Sequence, residues 1–277
     1  MPEGPEIRRA ADTIAAVLVG RALTRVRFGL PKLRRQARSF KGRHVIDIET
    51  RGKALLTHFD NGRSIYSHNQ LYGVWRVVEG HTLPQTNRSL RMLLQTDTHS
   101  AILYSASDIS VWDTAKLQDH PFLCRLGPDI MHPGLNWREI SRRLRESPFR
   151  ERELAALYLD QGFLAGNGNY LRSEILFDAG LHPRKRPSAL SRGELGRLAR
   201  STLAISGRSY ETGGVTLAPR LANRLVKLGQ EREWRRFYVF GRSDQPCYRC
   251  GTPIRRSEAN SRRLYHCPVC QPGPMGK

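Results

Sequence analysis

The sequence predicts a multidomain α+β protein in three parts: a helix-led antiparallel β-sandwich, a helical domain, and a small module held by paired cysteines. Three observations predict it. An apolar period near 3.6 appears at the start, short β-rich segments follow up to about residue 120, and helical spacing returns from Trp137 ahead of two Cys-x2-Cys pairs.

Ile7, Ala10, Ala11, Ile14, Val17 and Leu18 share one helical face and Gly20 follows as a stop, so a helix is expected from about Pro5 to Val19. The period then shortens. ALTRVRF, RHVIDIE, KALLTHF, RSIYSHN, GVWRVVE, SLRMLLQ and AILYSAS are rich in β-branched and aromatic residues and are separated by Gly, Asn and Asp. Asn61-Gly62 is a tight-turn signal between two of them. From Trp137 to about Ile205 the pattern is helical, broken by Gly166, Asn167, Gly168 and Asn169. Ser206 to Gln230 reads as a basic strap without fixed structure, and RRFYVFGR as a hairpin-like lead into the cysteines. The expected boundaries are 1–120, 121–230 and 231–277, with no internal repeat and no low-complexity tract.

Charge points to the partner. The 277 residues carry 46 Lys+Arg against 25 Asp+Glu, a net +21. Such an excess favours a polyanion, because each neutralised phosphate releases condensed counterions. An acidic membrane surface would exploit the same charge, but no apolar stretch approaches the roughly 18 residues of a span. No charged-then-apolar leader pattern is visible, so a cytoplasmic protein that binds nucleic acid, with no membrane partner, is expected.

Cys247 and Cys250, then Cys267 and Cys270, form two knuckles sixteen residues apart, in the turn-rich contexts PCYRCG and HCPVCQ. Four thiolates so spaced suit one structural Zn2+ on a β-hairpin, in a closed site with no open position. Two disulfides are the competing reading, disfavoured in a reducing compartment. His266 reads as packing beside the site rather than a ligand, and Cys124, in HPFLCR, as a reduced, partly buried side chain. Between Arg220 and Arg263 stand twelve basic residues against four acidic ones. Any one of them can be a solvated surface charge, but Arg262 and Arg263 lie near a hairpin that a metal would rigidify.

In DQGFLAGNGNYLRSEILF, glycines 162, 166 and 168 keep a turn bare and permit positive φ, and Asn169 stands where a helix begins. Bare backbone leading into a helix N-terminus suits an anion such as a phosphate, although a plain connecting turn looks similar. The start, MPEGPEIRR, is the unusual feature. Loss of Met1 would leave Pro2 as a secondary amine. An α-amine titrates near about 7.7–8.0, so part of it is neutral and nucleophilic at pH 7. Such an amine attacking a sugar C1′ gives an iminium ion, and Glu3 beside it could relay a proton. Met-Pro starts are common, and the second Pro-Glu pair with the helix that follows at once gives this one weight. Lys53, after Gly52 at the mouth of an apolar strand, could protonate or orient a leaving group. Gln70, Leu71 and Tyr72 form an amide, aliphatic and aromatic trio suited to wedging between bases.

Taken together, MPEGPEIRRA, ETRGKALLTHF, SHNQLYGVWRV, LYSASDI, HPFLCRLGPD, LDQGFLAGNGNYLRSEIL and the four cysteines closely resemble the formamidopyrimidine-DNA glycosylase/endonuclease VIII family over essentially the whole chain. The resemblance implies a β-sandwich, a helix-two-turns-helix domain and a zinc finger, with DNA bound between domains. It implies a bacterial, nucleoid-associated DNA glycosylase and AP lyase of base excision repair, acting as a monomer on duplex DNA with oxidised bases or abasic sites. Pro2 matches the Schiff-base nucleophile, Glu3 the acid that helps release the base, and Lys53 the residue assisting β-elimination. Arg262, in SRRLYHC, matches the finger arginine assisting δ-elimination. Glu6 matches a further acidic residue near the site. Gln70, Arg125 and Asn169 match DNA-contacting positions, with Leu71 and Tyr72 filling the gap left by a flipped base.

Three features depart from the pattern: Arg263 replaces an expected proline, Asn167 stands where a larger apolar residue is usual, and Ser206–Gln230 is longer than expected. The QLY trio resembles the endonuclease VIII branch, implying oxidised pyrimidines (thymine glycol, 5-hydroxycytosine, dihydropyrimidines). The alternatives are oxidised purines such as formamidopyrimidine or 8-oxoguanine, and a non-catalytic zinc-finger DNA-binding protein on the same scaffold.

Overall fold

The computed structural model describes residues 2–273. Met1, whose removal the N-terminal reading requires, lies outside them. The chain forms two compact units, one up to Arg125 and one from Leu126 onward.

The first unit opens with α1 (Gly4–Leu18), capped by a reciprocal box between Glu3 and Glu6 and carrying Pro in its first turn. Its face of Ile7, Ala11, Ile14 and Leu18 is buried, each large aliphatic contributing about 1.5–3 kcal/mol of burial. Eight strands follow: β1 (Arg25–Phe28), β2 (Val45–Arg51), β3 (Ala54–Phe59), β4 (Arg63–His68), β5 (Val74–Glu79), β6 (Leu90–Gln95), β7 (His99–Tyr104) and β8 (Asp108–Asp113). They make two antiparallel four-stranded sheets, ordered β1-β6-β7-β5 and β2-β3-β4-β8.

Alternation explains why several strands read as unbroken apolar runs. Leu55 and Phe59 of β3 join the main core with α1, whereas Ala54 and Leu56 face a second cluster with Tyr66, Leu117 and Phe122. Ala101 and Leu103 of β7 likewise split from Ile102 and Tyr104. Strand β8 and the 3₁₀ turn Pro31–Ser39 were not foreseen. The Asn61-Gly62 turn joins β3 to β4 as expected, with Gly62 at φ 71°.

The second unit contains α2 (Trp137–Arg143), α3 (Ser147–Arg150), α4 (Leu154–Leu157), α5 (Asn169–Asp178), α6 (Arg192–Thr212), α7 (Pro219–Lys227) and the hairpin β9 (Arg255–Ala259) with β10 (Arg262–His266). Ser191 and Glu194 box the start of α6, and Gly213 closes it at φ 70°. The strap expected at Ser206–Gln230 is therefore corrected. Its first part is the end of α6 and its middle is α7, folded because Leu225 is buried beside Leu221 and Ala222 in the core that also holds Cys247, Tyr265 and Cys267.

RRFYVFGR is not a hairpin either. The N–H groups of Tyr238, Val239 and Phe240 donate to the buried Glu174 carboxylate at 2.8–3.0 Å, not to a neighbouring strand. Among the described residues, no helix is long and apolar enough to cross a membrane.

Candidate active site

In the first unit, the start of α1 fixes the N-terminal candidates. Pro2 is half-buried and Glu3 is buried. The Glu3 backbone N–H donates to Glu6 Oε2 at 3.0 Å, so Glu6, whose role the resemblance left open, has a visible one: it holds Glu3 at the head of the helix. The head also places any charge there in the positive field of the helix N-terminus.

Lys53 sits in the two-residue turn joining β2 to β3, made possible by Gly52 at φ 63°. The next residue, Ala54, pairs with His68, and His68 also pairs with Asp108. Burial lowers the His68 pKa and the nearby Lys53 charge lowers it further, with Asp108 opposing, so the ring is neutral at pH 7. Its Nδ1 accepts the Gln70 N–H at 3.0 Å. Gln70, at φ 53°, in turn accepts from Ser107 Oγ at 2.6 Å.

This network anchors the β4–β5 loop while its tip projects: Leu71 is 57% exposed and Tyr72 72%. A Cβ on Gly73 would meet Asn69 O at 2.4 Å, so only glycine closes the loop. His68 and Ser107 were missed by sequence reasoning, although SHNQLY places His68 two residues before Gln70.

Arg125 lies exposed on the turn Leu123–Arg125, its Nε donating to Pro121 O at 2.7 Å. Cys124 is corrected: it is exposed, because Phe122 and Leu123 of the same phrase supply the apolar contact.

In the second unit, Asn169 begins α5 after Gly168, as expected. Of the three glycines, Gly166 alone uses positive φ, at 100°; Gly168 is at −145°. Gln161, not anticipated, knits the loop. Its Oε1 accepts the Gly166 N–H at 3.1 Å and its Nε2 donates to Asn167 O at 3.0 Å. Asn167 is fully buried.

Arg262 and Arg263 are exposed on β10, directly after a turn in which Asn260 and Ser261 both adopt positive φ, the signature of a type I′ hairpin. Asn169 and the β10 hairpin are joined through the buried Arg172 guanidinium, which donates to Asn169 Oδ1 at 3.1 Å and to Arg263 O at 3.0 Å.

The sulfurs of Cys247, Cys250, Cys267 and Cys270 lie within 4.8 Å of one another, a compact tetrathiol set that could hold one metal ion. Amide N–H groups of Arg249 and Cys270 point at the sulfurs of Cys247 and Cys267, each at 3.4 Å. His266 is not part of the cluster and packs edge-on against His182, consistent with its expected role.

Residues 1–113 match the formamidopyrimidine-DNA glycosylase N-terminal domain, and residues 126–220 match the formamidopyrimidine-DNA glycosylase H2TH domain. Proteins named Endonuclease 8 from Escherichia coli O17:K52:H18 and Enterobacter sp. strain 638 are each 48% identical over 98% of this chain and 100% of their own length. The chain belongs to the formamidopyrimidine-DNA glycosylase/endonuclease VIII family. Solved structures of the family's fold include Lactococcus lactis Fpg with an abasic site containing DNA, at TM-score 0.80 and 21% identity over 98% of this chain and 100% of that one. Another is the same organism's Fpg with DNA containing an oxidised pyrimidine, at TM-score 0.80, 20% identity and the same coverage. This family member therefore combines the β-sandwich, the helix-two-turns-helix region and a tetrathiol cluster on a hairpin.

Proposed function

We propose that this family member is a bifunctional DNA glycosylase and AP lyase of base excision repair that removes oxidised pyrimidines from duplex DNA. The observation that carries the reading is the head of α1, in a chain that matches the Endonuclease 8 relatives end to end: Pro2 stands beside a buried Glu3 whose backbone is locked by Glu6.

With Met1 removed, the Pro2 nitrogen attacks C1′, the C1′–base bond breaks, and Glu3 helps to deliver the proton the departing base needs. The resulting iminium withdraws electrons. Loss of a C2′ proton then expels the 3′ phosphate by breaking C3′–O, assisted by Lys53. Loss of a C4′ proton expels the 5′ phosphate by breaking C5′–O, assisted by Arg262. Water releases the sugar fragment and restores the amine. Gln70, Arg125 and Asn169 contact DNA, and Leu71 and Tyr72 fill the space of the extruded nucleotide. The net +21 supplies phosphate affinity. Zn2+ in the four-cysteine site is structural: its part is to hold the hairpin that carries Arg262. The protein acts as a cytoplasmic monomer.

The loop tip gives a clean expected effect. Leu71→Ala with Tyr72→Ala removes exposed side chains, so stability should change by no more than about 0.5 kcal/mol per site. Excision from duplex should fall by about 10–100-fold, since the wedge offsets the few kcal/mol of unstacking. Thermal melts and single-turnover rates check both. Substrate class is read by comparing excision from a thymine glycol duplex with an 8-oxoguanine·cytosine duplex. Faster excision of thymine glycol is expected; the reverse order would assign the oxidised-purine alternative.

A further inference from the structure

Arg172 lies on the second turn of α5 and is completely buried. Removing a guanidinium from water is costly, and an apolar side chain of similar volume would fill the same space, so a charge kept here reflects use of its fork. That fork reaches three separate elements. Nη1 donates to Ala155 O in α4 at 3.1 Å, and Nη2 donates both to Asn169 Oδ1 at 3.1 Å and to Arg263 O in β10 at 3.0 Å. Two consequences follow. The Asn169 amide is turned so that its oxygen is the accepting end and its NH2 the end that can donate to a phosphate. The hairpin is also pinned one residue from Arg262, directly after the type I′ turn.

The neighbouring Glu174 grips a different part of the same module. It accepts from the N–H groups of Tyr238, Val239 and Phe240 and from Thr216 Oγ1, at 2.6–3.0 Å. Glu174 thus secures the chain leading into the finger, while Arg172 alone of the two touches the groups directed at DNA.

We propose that Arg172 is a positioning residue that sets Asn169 and Arg262 in register through one shared guanidinium, so that loosening it slows δ-elimination relative to β-elimination. The inference rests on the roles given to Pro2 and Arg262 above. Pro2 and the β-elimination groups lie in the other unit and are not held by this fork.

The test is a single-turnover reaction on an abasic-site duplex, reading the ratio of β,δ-product to β-product beside the rate of borohydride trapping. Arg172→Met fills the volume without the fork. Arg172→Lys keeps the charge and guards against a variant that fails to fold. Arg262→Ala tests the underlying role, and Leu198→Ala, deep in the helical core, matches the loss of stability without touching the fork. Both Arg172 variants should lower the ratio by about tenfold, the effect of one lost charge-assisted hydrogen bond, with trapping within about twofold of the parent. Leu198→Ala should leave the ratio unchanged. A shifted ratio in Arg262→Ala with none in either Arg172 variant overturns the inference alone. No shift in Arg262→Ala removes the reading of Arg262, and this inference with it. An equal shift in Leu198→Ala reduces Arg172 to general packing and also overturns it.

Discussion

Adding one residue before Pro2 should abolish strand cleavage while leaving the fold and DNA binding in place. The extension converts the proline nitrogen into an amide with no lone pair for C1′. Removing a covalent nucleophile from an enzyme that depends on it costs on the order of 10⁶-fold. The lyase signal should therefore vanish at any practical enzyme concentration. Stability should barely change, because the capping of α1 comes from Glu3 and Glu6, and its burial from Ile7, Ala11, Ile14 and Leu18. Cleavage of abasic-site DNA, measured beside binding to an uncleavable abasic analogue, checks both halves. Retained cleavage would move the nucleophile elsewhere, with Lys53 the next amine to examine.

The second large effect concerns the tetrathiol cluster. Cys247→Ser, or stripping the metal with a chelator, should collapse the finger and eliminate strand cleavage. Binding of structural zinc is worth about 10–16 kcal/mol in small finger peptides, and that energy is folding energy. Here the loss would spread, because Cys247 and Cys267 share one core with Ile254, Tyr265, Leu217 and Leu225. Helix α7 should loosen with the finger, whereas the β-sandwich, with its separate core, should persist. Metal content per chain, circular dichroism and cleavage rate measured on one preparation decide it. Full activity in metal-free protein would contradict the account of the finger.

Much of this architecture was legible because local chemistry and tertiary structure agree. The period-3.6 face of α1, the Asn61-Gly62 turn and the paired cysteine knuckles each require only neighbours in sequence. What stayed hidden depends on partners far along the chain. Arg172 and Glu174 look like surface charges on a helix. Their burial becomes intelligible only once Arg263 O and the amides of residues 238–240 are in place. The same carboxylate explains why RRFYVFGR, strand-like by composition, forms no strand. Helix α7 was hidden by the arginines that made its segment look like a solvated strap; a few apolar residues on one face were enough to dock it. Strand β8 follows β7 after only three residues, so the two merged into one apparent segment. In the candidate site, the N-terminal pair, Lys53, the wedge and the cysteines were visible as residue types at telling positions. The supporting groups, His68, Ser107, Gln161 and Arg172, became visible only through their hydrogen bonds.

The most direct test of the central claim is borohydride trapping on a duplex carrying thymine glycol, with the adduct digested and mapped. A covalent sugar adduct on Pro2, in protein shown to lack Met1, is the predicted result. An adduct on another residue would contradict the assignment of Pro2, and no adduct despite intact binding would contradict the enzymatic reading and leave a DNA-binding protein on the same scaffold.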